Sequence, residues 1–309
     1  MKHFLSIVLI ALSLSIEAHR LPKVVSGSIK RLSNFNSKYV SPRNIDIWIP
    51  DDYTPEKKYS VLYMQDGQML FDNSSSWHQQ SWNVDNIASK LQQAGRVQDF
   101  IIVGVWNDAK NHYADYFPQK PFQSLTAEQK DFVRKQLHEK GKCAESFQPN
   151  SDHYLKFLVT ELKPYIDKHY AVSTDADHTF IAGSSMGGLV AMYAITQYPK
   201  VFGGAACLST HWPGVFCLDK NPVPNAIVHY LKETLPNPDN HKIYFDHGDK
   251  TLDALYPALQ AQVDACMKSK GYHAGNWRTE YFKGKDHSEK SWRERFYVPL
   301  LFLLKKQNT

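Results

Sequence analysis

The pentapeptide Gly183-Ser184-Ser185-Met186-Gly187 constrains this chain more than any other stretch. An apolar, β-prone run from His178 to Ala182 precedes it. Leu189-Val190-Ala191-Met192-Tyr193-Ala194-Ile195 follows, and reads as a helix entering a core. A strand, a sharp turn and a helix with serine at the turn is the context that gives G-x-S-x-G meaning. The turn imposes strained backbone angles on Ser185, so the residues two before and two after it have to be small, as Gly183 and Gly187 are. The hydroxyl is then held clear of the sheet, and the following helix points its first amides toward developing negative charge. In isolation, a glycine-rich connection of an ordinary α/β domain reads the same way. An acid and a histidine later in the chain, in that order, separate the two readings.

The 309 residues, 42% of them hydrophobic, suffice for an ample core without metal or disulfide staples. Lys+Arg 36 against Asp+Glu 31 gives a net charge of +5, spread along the chain. With no basic stripe, no nucleic-acid partner is expected. Met1 to Ala18 has the pattern of a secretory signal: Lys2 and His3, then an apolar stretch from Phe4 to Leu14, then Ala18 before the cut. The other reading of that segment is an amphipathic anchor or uncleaved tether. The run is short for a bilayer, so no stable membrane span is expected and the mature protein should be periplasmic or secreted. Cys143, Cys207, Cys217 and Cys266 allow three full pairings, and Cys207 with Cys217 could close a loop. No C-x-x-C or H-E-x-x-H spacing occurs, so no metal site is expected.

Val24 to Ile49 reads as an antiparallel pair, Tyr59 to Met64 and Phe100 to Val105 as buried strands, and Val84 to Ala94 as a helix stopped by Gly95. Tyr154 to Lys168 is an amphipathic helix. Strands follow at Gly203 to Leu208, His241 to Phe245 and Trp277 to Phe282, with helices at Ala254 to Lys270 and Ser291 to Lys305. The alternation predicts an α/β fold: a mostly parallel sheet of about eight strands with helices on both faces, in a single domain after the signal. Residues 118–150 interrupt the rhythm with polar sequence and one charged helix, Ala127 to Lys140. This is either a lid or a surface excursion.

A base able to take the Ser185 proton near neutral pH points to histidine. Of fourteen histidines, His287 follows the last strand and opens the final helix. His211, after another strand, is placed as a pocket residue together with Trp212. The acid belongs after the penultimate strand, where Asp246, Asp249 and Asp253 stand. Asp253 is the choice and Asp249 the alternative, although capping a helix also explains Asp253. The oxyanion donors expected are the backbone amides of Met186 and of Gln68, in the loop after the third strand. Each such donor contributes roughly 3 kcal/mol in a transition state.

With these pieces placed, the chain resembles the Putative esterase family of α/β-hydrolases, which includes esterase D, enterochelin esterases, feruloyl and acetyl-xylan esterases and the mycolyltransferases. The likeness runs through Val61-Leu62-Tyr63-Met64-Gln65-Asp66-Gly67-Gln68, Ile102-Val103-Gly104-Val105 with Asn107, Glu161-Leu162-Lys163-Pro164-Tyr165, the pentapeptide and Asp286-His287-Ser288-Glu289. It implies an α/β-hydrolase fold, Ser185 as nucleophile, His287 as base and an acid within 248–253. Before Tyr116-Phe117-Pro118, relatives tend to carry an arginine and a glutamate that are missing here, and 118–150 has no counterpart. The expectation is an exported serine esterase acting on a small-molecule or carbohydrate ester (sugar, feruloyl-like aryl or siderophore), with no cofactor. Trp77, Trp82, Tyr113, Trp212 and Trp292 are candidates for the pocket wall or the core. Acyl transfer to a hydroxyl acceptor, or a non-catalytic binding domain on the same fold, are the alternatives.

Overall fold

The apolar runs assemble into one eight-stranded sheet in the computed structural model, which describes residues 20–74, 76 and 79–306. The signal-like segment 1–18 and Trp77 lie outside the described residues. Strands β1 (Ser28–Phe35), β2 (Arg43–Ile49), β3 (Ser60–Gln65), β4 (Phe100–Val105), β5 (Thr179–Ser184), β6 (Gly204–Leu208), β7 (Lys242–His247) and β8 (Trp277–Tyr281) lie in the order β1-β2-β4-β3-β5-β6-β7-β8. β1 and β2 run antiparallel, and everything from β4 to β8 is parallel. Helices cover both faces, as expected of the α/β-hydrolase fold.

Alternation along each strand explains the layering. Val61 and Tyr63 of β3 and Ile101, Val103 and Val105 of β4 face one core, while Leu62, Met64, Phe100 and Ile102 face the other. The first core is covered by α2 (His112–Tyr116), α3 (Gln119–Gln123), α4 (Ala127–Glu139), α5 (Ser151–Phe157), α6 (Lys163–His169), α7 (Met186–Gln197), α8 (Val223–Thr234) and α9 (Pro257–Ser269). The second is covered by α1 (Val84–Gln93), α10 (Glu289–Arg295) and α11 (Tyr297–Leu303). Central strands buried on both faces require continuous apolar runs. Edge strand β8, Trp277-Arg278-Thr279-Glu280-Tyr281, is polar and half exposed.

Several elements differ from expectation in detail. α5 and α6 are joined by a π-helical turn, Leu158–Leu162, that ends two residues before Pro164, whose missing N–H cannot serve a regular helical ladder. The helix expected from Ala254 begins at Pro257, after a 3₁₀ turn over Thr251–Leu255. Helix α8 has no counterpart in the sequence reading. Residues 118–150 dock on the first core through Phe122, Leu125, Val133, Leu137 and Phe147. The Phe117, Phe122 and Phe147 rings meet edge-on there. All four cysteines are free. Among the described residues, no helix is long and apolar enough to cross a membrane.

Candidate active site

Ser185 sits between β5 and α7 with φ 56° and ψ −122°, a conformation that costs free energy for any side-chain-bearing residue. Steric closeness dictates the flanking glycines: a Cβ on Gly183 would fall 2.5 Å from the Gly187 carbonyl carbon. The Ser185 amide donates to the Leu208 carbonyl at 2.9 Å, and its own carbonyl accepts from Leu189 at 3.1 Å and His211 at 3.1 Å. The turn is thereby pinned to the end of β6. Met186 is the first residue of α7, so its amide has no acceptor within the helix.

The loops after β7 and β8 are pressed together. The Asp249 and Lys250 amides both donate to the Lys285 carbonyl at 3.0 Å, and a Cβ on Gly248 would collide with that oxygen at 2.0 Å. The contact brings His287 Nδ1 to 2.6 Å from Asp253 Oδ1, while the His287 amide donates to Thr251 Oγ1 at 2.9 Å. Asp253 is fully buried, and its Oδ2 accepts from Ser209 Oγ and the Gly248 amide, each at 2.6 Å. Burial alone would raise the Asp253 pKa, but hydrogen bonding and charge from His287, with the Ser209 and Gly248 bonds, outweigh it and lower the pKa.

The other two aspartates are occupied elsewhere. Asp249 accepts from Tyr281 Oη at 2.7 Å and from the Gly284 amide at 2.8 Å, bracing the exposed loops. Asp246 is buried and paired with Arg295 at 2.9 Å. Arg295 Nη2 also donates to Ser209 Oγ at 2.7 Å, as does Trp292 Nε1 at 3.0 Å. Ser209 and Arg295 therefore form a buried layer beneath Asp253. Sequence reasoning passes over both. The only local signal is the polar run Ser209-Thr210-His211 directly after an apolar strand.

Gln68 lies in the 3₁₀ turn Gly67–Met69, entered through Asp66 at φ 57°. Its Oε1 accepts from the Asn107 amide at 3.2 Å, and Asn107 Nδ2 donates to Asp66 Oδ1 at 2.5 Å. A Cβ on Gly187 would lie 3.0 Å from Asp66 Oδ2, so this loop abuts the turn that carries Met186.

His211 and Trp212 part company. Trp212 is buried against Phe245, with its Nε1 donating to Gln260 Oε1 at 2.8 Å, which places it in the core. His211 is also buried but points to the site: its Nδ1 lies 2.9 Å from Tyr256 Oη. Burial, aided by the neighbouring His287, pushes its pKa down to about 3, so the ring is neutral. Trp292 packs edge-on against the His287 ring at 5.0 Å and, tilted, against Trp82 at 5.3 Å.

The comparisons with known proteins agree with this architecture. The family model described as Putative esterase matches residues 37–303. The protein "Uncharacterized protein YbbA" of Bacillus subtilis (strain 168) is 22% identical over 275 residues, which cover 86% of this chain and 94% of that protein. A solved ferulic acid esterase superposes with a TM-score of 0.63 at 21% identity, covering 90% of this chain and 98% of that one. The enterobactin esterase FES from Shigella flexneri gives a TM-score of 0.65 at 16% identity, covering 91% of this chain and 60% of that one. At these identities the structural likeness is one of fold.

Proposed function

The chain belongs to the Putative esterase family and is a carboxylic ester hydrolase, and we propose that it works through Ser185, His287 and Asp253. The observation that carries this reading is the His287–Asp253 contact of 2.6 Å at the end of the sheet where Ser185 occupies its strained turn. Ser185 Oγ attacks the ester carbonyl while His287 Nε2 takes its proton, and Asp253 holds the imidazole by Nδ1. The Met186 and Gln68 amides receive the oxyanion. His287 then protonates the leaving alcohol, and the same base activates water to release the acyl group from Ser185.

The names of similar proteins support an aryl ester of the feruloyl kind, or a siderophore ester, as the substrate class. Export belongs to the same proposal and rests on the Met1 to Ala18 pattern. N-terminal sequencing of the mature protein tests it. The enzymatic test compares wild type with Ser185→Ala on a short-chain chromogenic ester, then on feruloyl, acetyl-sugar and catecholate-siderophore esters. The expected loss in the variant is at least about 10⁴-fold in kcat. Equal activity in both proteins would refute Ser185. Inertness of both would favour a binding domain, and diversion of the acyl group to an added alcohol would favour a transferase.

A further inference from the structure

The roles assigned so far leave a second buried pair unexplained. Tyr256, the last residue before α9, is fully buried, and its ring stands edge-on to His287 at a centroid distance of 5.8 Å. Its hydroxyl lies 2.9 Å from His211 Nδ1, and the His211 backbone amide in turn donates to the Ser185 carbonyl. The Ser185 side chain neighbours that hydroxyl, and burial with the nearby Asp253 carboxylate keeps the phenol protonated. Among the described residues His211 Nε2 is buried without a well-formed hydrogen bond, with the Val215 backbone as its polar neighbour, so the ring's well-formed hydrogen bond is the one to Tyr256. A buried imidazole is costly unless it is paired. Here it is retained where its other nitrogen can fix one phenol beside the nucleophile.

We propose that Tyr256, oriented by His211, is a positioning residue that holds the Ser185 oxygen in the rotamer facing His287. This rests on the serine-esterase reading above. A hydroxyl both donates and accepts, so the neutral tautomer of His211 decides which way Tyr256 bonds Ser185. If His211 Nδ1 accepts, the Tyr256 oxygen can only accept the Ser185 proton, which turns that proton away from His287, so this tautomer is the unproductive one. If Nδ1–H donates, Tyr256 donates to the Ser185 oxygen, and that bond persists after acylation, when Ser185 has no proton of its own.

The test is kinetic. Tyr256→Phe is expected to lower kcat on a chromogenic ester about tenfold, the equivalent of one lost hydrogen bond, with KM and the melting temperature little changed. The rate at which a phosphonate labels Ser185 should fall in parallel. His211→Leu should give a similar loss, and the double variant no more than either single one, since the two side chains act as a unit. A wild-type kcat in Tyr256→Phe, or losses that multiply in the double variant, would overturn the proposal. Should Tyr256→Phe fail to fold, His211→Gln carries the same prediction for kcat and labelling. An inert Ser185→Ala beside a fully active Tyr256→Phe removes only the role of Tyr256, whereas an active Ser185→Ala removes the esterase mechanism beneath it.

Discussion

The two ends of the parallel sheet are made by the same strands and are built on different principles. At the C-terminal ends, Asp66, Ser185, Ser209 and Thr251 all adopt positive φ, between 41° and 57°. Directly beneath lie Asp246, Asp253, His211 and Arg295, all buried. At the N-terminal ends a cavity of about 830 Å³ opens beside Phe180, Gly203, Lys242 and Asn276. There His241 has each ring nitrogen facing a carbonyl oxygen, of Asn237 at 2.9 Å and Pro199 at 2.8 Å. None of the residues named beside this hollow has a positive φ, while strain and buried charge collect at the other end. Strain and perturbed ionisation are what support placing the proposed chemistry at the C-terminal ends.

The sharpest way to break this contrast is to neutralise the buried acid. Asp253→Asn keeps the shape but cannot stabilise an imidazolium, so kcat should fall by about 10³- to 10⁴-fold, measured at saturating ester. Asp249→Asn, in the exposed loop brace, should stay within a few fold of wild type. An equal loss in both variants would mean that loop placement, and not the Asp253 carboxylate, governs activity.

Next in size is a pH effect on stability. His211 has its pKa lowered from 6.5 to about 3 in the folded protein. The unfolded chain therefore takes up a proton below about pH 6.5 that the folded protein refuses until about pH 3. Stability supplied by the neutral ring is present above pH 6.5 and is lost as pH falls through that window, by up to about 5 kcal/mol. Denaturant unfolding between pH 7 and 4 should show the decline in wild type and a shallower slope in His211→Leu. Matching slopes would place His211 in a wetter setting than its burial implies. Smaller still is Ser209→Ala, which removes one donor to Asp253 and the shared acceptor of Trp292 and Arg295. About 1–3 kcal/mol of stability should go with it.

What the sequence made legible follows from the range of the forces involved. The Ser185 turn, the strands and the final His287 loop are written in local terms: glycine spacing, apolar runs and a polar loop after a strand. In the sequence the choice of Asp253 over Asp249 rests on position alone, and the structure brings Asp253, not Asp249, to His287. Ser209 and Arg295 are separated by 86 positions and meet only because the end of α10 lies over the residue that follows β6, so no local pattern announces them. Trp212 shows the converse: an aromatic after a strand end suggests a pocket wall, yet Gln260 and Phe245 hold it in the core. Helix α8 and the true start of α9 were obscured by Pro222, Pro224 and Pro257. A proline inside the first helical turn is in fact a start signal.

The smallest effect falls at the quiet end of the sheet. His241→Ala removes the hydrogen bond the ring donates to the Asn237 or Pro199 carbonyl and should cost about 1 kcal/mol in denaturant unfolding. No residue there reaches toward Ser185, so kcat and KM for the folded protein should be those of wild type. A fall in kcat larger than the unfolded fraction would mean that the strands transmit strain from one end to the other. The strained turn would then depend on packing along the whole length of β6 and β7, and the two ends would have to be read as one mechanical unit.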